Sequence, residues 1–211
     1  MTASRTRVKL CGMQGIDDVT TAVEAGADAI GVISQVSVDS PREVDTDVAA
    51  RIIDHTPPFV TSVLVTMPKN LEEARTIMDA LAPDAIQIHG DLPADVAESL
   101  ARDYTVIRAF DVTERDAILA HDGIVDALLI DSTDERGGGG TGRTHDWDRT
   151  RRYVEALESP VILAGGLSPE NVEDAIEEVR PYAVDVASGI EGPHGKDTRA
   201  MNRFVAAAGG Q

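Results

Sequence analysis

Hydrophobic positions along the chain fall into two alternating kinds of segment. The first kind is a short run in which nearly every residue is apolar: Val8 to Cys11, Ala29 to Ile33, Val60 to Val65, Ala85 to Ile88, Val106 to Phe110, Ala127 to Ile130, Val161 to Ala164 and Ala183 to Val186. Such runs read as strands covered on both faces. Between them apolar residues recur at helical spacing, as in Asp17 to Glu24, Leu71 to Leu81 and Pro169 to Val179. In the last of these Ser168 suits an N-cap and Pro169 the first helical position. Eight βα units in series predict a parallel sheet flanked by helices, and eight units also close on themselves. The expected fold class is therefore α/β, a (β/α)8 TIM barrel, with a doubly wound open sheet as the alternative. No linker or low-complexity tract interrupts the alternation, so residues 1–211 are expected to form one barrel domain, with 1–7 as a short N-terminal tail.

A barrel gathers the C-terminal ends of its strands on one rim, where catalytic groups collect. That rim would hold Cys11, Ser34, His89, Asp111, Asp131, the pair Gly165 and Gly166, and the pair Ser188 and Gly189. The glycine run Gly137 to Gly140 follows strand six and reads as a mobile active-site loop.

Composition narrows the function classes. The formal net charge of −18 opposes binding to nucleic acid, whose phosphates require clustered Lys and Arg. Three lysines stand beside sixteen arginines, and the acids are scattered over helix faces. This reads as a surface adapted to concentrated salt, which screens self-repulsion, with an ordinary acidic protein as the alternative. No apolar run approaches the ~18 residues of a membrane span, and the N-terminal residues lack a secretory pattern, so a soluble cytoplasmic protein is expected. One cysteine forms no internal disulfide and builds no cysteine-rich metal site. With no second histidine near His89 and no carboxylate at ligand spacing, no metal is expected. The pattern carries no signal for oligomeric state.

The candidate chemistry lies at the strand ends. Leu163-Ala164-Gly165-Gly166-Leu167-Ser168-Pro169 and Ala187-Ser188-Gly189-Ile190-Glu191-Gly192 are glycine loops after strands seven and eight, where barrels bind phosphate through backbone N–H groups and a helix N-terminus. The plainer reading is two tight turns; adjacent in the fold, the two loops favour a phosphorylated ligand. Asp131 follows four apolar residues, and desolvation there would raise its pKa above the ~3.9 reference and suit a proton donor. The alternative is a helix-capping acid. Cys11 reads either as a buried small hydrophobe or as a base whose thiolate needs a nearby cation or dipole. Arg42 is placed to clamp a carboxylate or to be a solvated surface arginine. His89 reads as polar lining, and Asp185, inside a strand, needs a buried partner or a substrate hydroxyl.

Taken in order, Lys9-Leu10-Cys11-Gly12, Gly26-Ala27-Asp28-Ala29-Ile30-Gly31, Ser40-Pro41-Arg42, Ile86-Gln87-Ile88-His89-Gly90 and Leu129-Ile130-Asp131-Ser132 resemble the phosphoribosylanthranilate isomerase family of tryptophan biosynthesis. The likeness continues through Gly139-Gly140-Thr141-Gly142 to Asp146-Trp147, then Leu163 to Leu167 with Glu170-Asn171-Val172, Val184 to Glu191, and Gly195-Lys196-Asp197. It covers essentially the whole chain. The resemblance implies an Amadori rearrangement of an aminoaldose to an aminoketose without a cofactor. By the same resemblance Asp131 is the general acid at the ring oxygen, Cys11 the base at C2′, and Arg42 the anchor of the anthranilate carboxylate. Gly142, Gly165, Gly166, Ser188 and Gly189 match the phosphate cradle, and Asp185 a polar group beside the ribose. The segment Ile33 to Asp39 lacks the family's usual aromatic residue, His145 replaces its usual Phe, and the glycine run ahead of Thr141 is longer than usual.

Rival readings are a related histidine-pathway ketol-isomerase, an indole-forming synthase, and a binding barrel without chemistry. The first would be expected to place an aspartate at Cys11 and glycine loops in both halves; the second would carry further Lys and Glu at its strand ends. Intact Cys11 and Asp131 speak against the third.

Overall fold

Each of the eight apolar runs forms a strand, and the strands pair in parallel, in chain order, around a closed barrel. The computed structural model describes residues 5–131 and 147–209. The strands are β1 (Arg7–Cys11), β2 (Ala29–Ile33), β3 (Thr61–Thr66), β4 (Ala85–Ile88), β5 (Thr105–Asp111), β6 (Ala127–Asp131), β7 (Val161–Ala164) and β8 (Ala183–Val186). Helices α1 (Ile16–Glu24), α2 (Thr46–His55), α3 (Leu71–Leu81), α4 (Ala94–Ala101), α5 (Arg115–His121), α6 (Trp147–Ala156), α7 (Val172–Val179) and α8 (Thr198–Ala207) lie outside the strands. Closure comes from β8 pairing with β1, with Lys9 opposite Asp185. The open-sheet alternative is thereby excluded.

Strand periodicity sorts the residues into two populations. Inward positions are small or medium-sized: Ala85, Ala109, Ala127, Ala164 and Ala183 pack with Val63, Ile107, Leu129 and Ile162 in the barrel interior. Outward positions such as Ile86, Ile88, Val106, Phe110, Leu128 and Ile130 meet the helices. Both faces are therefore dry, which is why the runs show no polar alternation.

A brace recurs at the barrel floor. Asp28, Asp84 and Asp126 each precede an even-numbered strand, and each accepts a 2.8 Å hydrogen bond from an N–H at the start of the strand before it, Val8, Ser62 and Val106 respectively. Each is followed by alanine, so Asp-Ala marks the same corner three times along the sequence. The carboxylate satisfies an N–H that no earlier ladder residue can reach.

Several boundaries differ from the pattern-based expectation: β3 is shifted by one residue, β5 is longer by one residue at each end, and α1 begins at Ile16. β1 begins at Arg7, and β6 extends to include Asp131. α7 begins at Val172 rather than Pro169, because residues 168–171 form a turn held by side chains. Asn171 accepts from the Ser168 N–H (2.8 Å) and donates to the Gly166 carbonyl (3.1 Å), while Ser168 accepts from the Glu170 N–H (3.2 Å). Beyond β8 a 3-10 turn (Ser188–Ile190) leads into a small hairpin, β9 (Glu191–Gly192) and β10 (Gly195–Lys196), which the periodicity did not announce. Among the described residues, no helix is long and apolar enough to cross a membrane.

Candidate active site

β1 sends two polar side chains into the barrel. Lys9 and Cys11 are two residues apart, hence on the same face, and both are buried. Lys9 donates from Nζ to Asp185 on β8 at 2.9 Å. Burial alone would lower the Lys9 ammonium; Asp185 and Cys11 reverse that, and its pKa ends above the ordinary value. Burial raises the Cys11 thiol further than Lys9 and Lys196 draw it back. Asp185 thus has the buried partner that its position demanded.

Across the barrel, Asp131 ends β6 in register with Asp111 on β5 and Ala164 on β7, and it is half-buried. Its position continues the inward series Ala127, Leu129. His89 follows the last residue of β4 and lies 2.8 Å from the Gln87 side-chain amide through Nε2. Burial and the neighbouring Lys9 lower its pKa, so the ring is neutral at pH 7. Its loop is held from behind by Arg108, which points out of the barrel. That guanidinium donates to the carbonyls of Ile88 (2.7 Å) and Gly90 (3.0 Å) and stacks on Phe110. Burial, only partly offset by Glu114 and Asp91, brings it down to about 10.

Arg42, on the connection from β2 to α2, clamps a carboxylate, and that carboxylate belongs to the protein. Its Nε and Nη2 donate to the two oxygens of Glu191 at 2.5 and 2.8 Å. Lys196 adds a third bond to Glu191 (2.9 Å) and ties the hairpin to the Ala187 carbonyl (2.9 Å). The Arg42 bidentate contact, aided by Lys196, holds Glu191 at about 2.

The glycine loops meet. Gly165 (φ 91°) and Gly166 (φ 56°) take left-handed backbone that L side chains rarely adopt. Gly189 in the next loop packs directly on the Leu167 backbone; a Cβ there would collide with the Leu167 carbonyl oxygen and lie 2.9 Å from its carbon. Ser188 is half-buried at the start of the same turn. Gly142 and the glycine run at 137–140 lie outside the described residues.

Cys11, Asp131, His89 and Asp185 thus occupy inward positions of the barrel's C-terminal half, and Arg42 with both glycine loops lies on the connections that follow. Sequence reasoning missed three charged residues. Lys9 was hidden inside an apolar run, although its spacing from Cys11 was a usable signal. Glu191 and Lys196 come together only through the short hairpin.

Residues 8–207 match the family model for N-(5'-phosphoribosyl)anthranilate (PRA) isomerase. The N-(5'-phosphoribosyl)anthranilate isomerase of Natronomonas pharaonis is 51% identical over 208 residues, covering 97% of this chain and 99% of that protein. The enzyme of the same name from Haloarcula marismortui is 52% identical over 202 residues, covering 95% and 94%. Among solved structures, phosphoribosyl anthranilate isomerase from Thermotoga maritima superposes with a TM-score of 0.85 at 34% identity, covering 98% of this chain and all of that one. A phosphoribosyl anthranilate isomerase in complex with reduced 1-(o-carboxyphenylamino)-1-deoxyribulose 5-phosphate gives a TM-score of 0.82 at 32% identity, with the same coverage. This chain belongs to the N-(5'-phosphoribosyl)anthranilate isomerase family.

Proposed function

We propose that the barrel mouth converts N-(5'-phosphoribosyl)anthranilate to 1-(o-carboxyphenylamino)-1-deoxyribulose 5-phosphate, with Asp131 as general acid and Cys11 as general base. The observation that carries this reading is the placement of a carboxyl and a thiol at the inward ends of β6 and β1, within one barrel mouth. Asp131 donates a proton to the furanose ring oxygen, and the ring opens to a Schiff base. Cys11 then takes the C2′ proton, leaving an enolamine that tautomerises to the ketone. One acid, one base and a fixed substrate are sufficient for proton transfer between neighbouring carbons, so the scheme calls on no cofactor.

Fixation comes from the two ends of the ligand. The loops at Gly165, Gly166, Ser188 and Gly189 receive the phosphate, joined by Gly142 from the sixth connection. Arg42 receives the anthranilate carboxylate. It has Nη1 free of the Glu191 contacts, so the incoming carboxylate either takes that edge or displaces Glu191. His89, as a neutral ring, and Asp185 line the ribose. The ligand is a small phosphoribosyl compound, and the setting is the cytoplasm.

The test follows the loss of substrate fluorescence. Cys11→Ala and Asp131→Ala each abolish turnover while still binding a product-like analogue; Arg42→Ala mainly raises KM. Near-normal turnover in Cys11→Ala would remove the base from this scheme.

A further inference from the structure

Lys9 is a buried cation that none of these steps uses. It is 3% exposed, and its ammonium is anchored by Asp185 at 2.9 Å. Gly31 on β2 is registered against Cys11. A Cβ built on Gly31 would lie 2.6 Å from the Cys11 sulfur and 3.0 Å from the Lys9 nitrogen, so the two atoms border the same gap. We infer that Lys9 is a positioning residue for the isomerisation: anchored by Asp185, its ammonium is the counter-ion that makes a Cys11 thiolate attainable inside the barrel. This rests on the reading of Cys11 as the base and adds what lets it act as one.

A buried thiolate loses its hydration, and even an ordinary cysteine, with a pKa of ~8.5, has few thiolates at neutral pH. The charges facing the sulfur are Lys9 on its own strand, Asp185 on β8, Lys196 on β10 and Arg42 on the connection from β2. His89, just after β4, faces Lys9, Asp185 and Asp131 and is neutral. Lys9 is the strongest of the cations acting on the sulfur. Asp185 opposes it electrostatically, yet it holds the ammonium in place. A substrate hydroxyl that donates to Asp185 draws on that negative charge and leaves more of the Lys9 field to the sulfur. When the thiolate takes the C2′ proton, the C–H electron pair enters the enolamine, the sulfur becomes a neutral thiol, and Lys9 keeps its protons.

Cys11 is the chain's only cysteine, so selective 13C labelling at cysteine Cβ yields one resonance whose shift reports thiolate formation. We would titrate the parent, Lys9→Met, and Lys9→Met/Asp185→Asn, the last removing the unpaired carboxylate in case the single variant does not fold. In Lys9→Met the midpoint rises by about one pH unit or more, which corresponds to about a tenfold loss of thiolate on the acid side, and in the double variant, which also lacks the opposing Asp185 charge, it rises by less. In Lys9→Met, kcat falls about tenfold at pH 7 and recovers as pH rises, while KM changes little. Lys9→Arg restores much of the parent midpoint. A midpoint unchanged in the folded variants overturns the role given to Lys9. Retained turnover in Cys11→Ala would instead remove the base assignment, and the sulfur titration would still judge Lys9 independently.

Discussion

Gly189→Ala is the sharpest test of how the two glycine loops are built. The added Cβ would overlap the Leu167 carbonyl oxygen and sit 2.9 Å from its carbon and 3.1 Å from Ser168 Cα. Comfortable carbon–carbon contact needs roughly 3.5–4.0 Å, so one loop must retreat by about 1 Å. All three atoms are backbone, so no side-chain rotation relieves the clash. A displacement of that size breaks hydrogen bonds whose working range is only a few tenths of an ångström wide. Overpacking of this kind typically costs about 1–3 kcal/mol, which for a chain of this length lowers Tm by roughly 2–12 °C. Bonds to a charged group are worth about 1.5–3 kcal/mol each, so losing one from the proposed phosphate cradle raises KM by about tenfold to a hundredfold. Thermal unfolding and steady-state fluorescence kinetics measure the two effects. Gly15→Ala is the control, since its Cβ would meet nothing within 4 Å and its backbone is extended at φ −163°. A Gly189→Ala enzyme with parental Tm and KM would refute the packing of one loop on the other.

Three further outcomes are expected. Asp185→Ala leaves Lys9 buried without its partner and should destabilise by about 3–5 kcal/mol, read by urea unfolding. Glu191→Gln tests a pH dependence: the Glu191 carboxyl is depressed to about 2 by Arg42, so its contribution is present above the ordinary carboxylate pKa and is lost as pH falls towards 2. With its side chain 26% exposed, that contribution is about 1–2 kcal/mol after screening, and the variant should lose stability less steeply below pH 4.5. Raising KCl from 0.1 to 1 M shortens the Debye length from about 10 to 3 Å and should raise Tm, because −18 charges repel one another; a flat or falling Tm would contradict the reading of the surface as salt-adapted.

The barrel was legible because a strand covered on both faces leaves an unbroken apolar run. The eight runs accordingly mark the strands to within one residue at either end. Closure was legible only through the count of eight units, since the pairing itself depends on β8 reaching β1 across most of the chain. The start of α7 was misplaced because Pro169 satisfies the rules for a first helical residue, whereas the Asn171 side chain diverts the backbone into a turn. Cys11 and Asp131 could be placed at the barrel mouth because each ends an apolar run, and a strand's C-terminal end lies at the rim. Lys9 was overlooked for the converse reason: within an apolar run a lysine reads as an interruption, while in a closed barrel the same residue faces the lumen.

That contrast explains the charge distribution of the site. A phosphate and a carboxylate must be received by a protein with a large excess of acids, so cations within the barrel have to be kept from surface carboxylates and from one another. The structure answers with internal pairing: Lys9 is held by Asp185, while Arg42 and Lys196 share Glu191. Each pair fixes the direction of a long side chain before any ligand arrives, so less side-chain entropy is lost on binding. The two pairs differ in what a ligand can do to them. Lys9 and Asp185 are both buried and exchange poorly with solvent, so their separation would strand a charge. Arg42 and Glu191 are each about a quarter exposed, at 25% and 26%, and there an arriving carboxylate replaces like with like. In the proposed scheme the inner pair therefore sets the reactivity of the sulfur, and the outer pair sets the ease with which the anthranilate end enters.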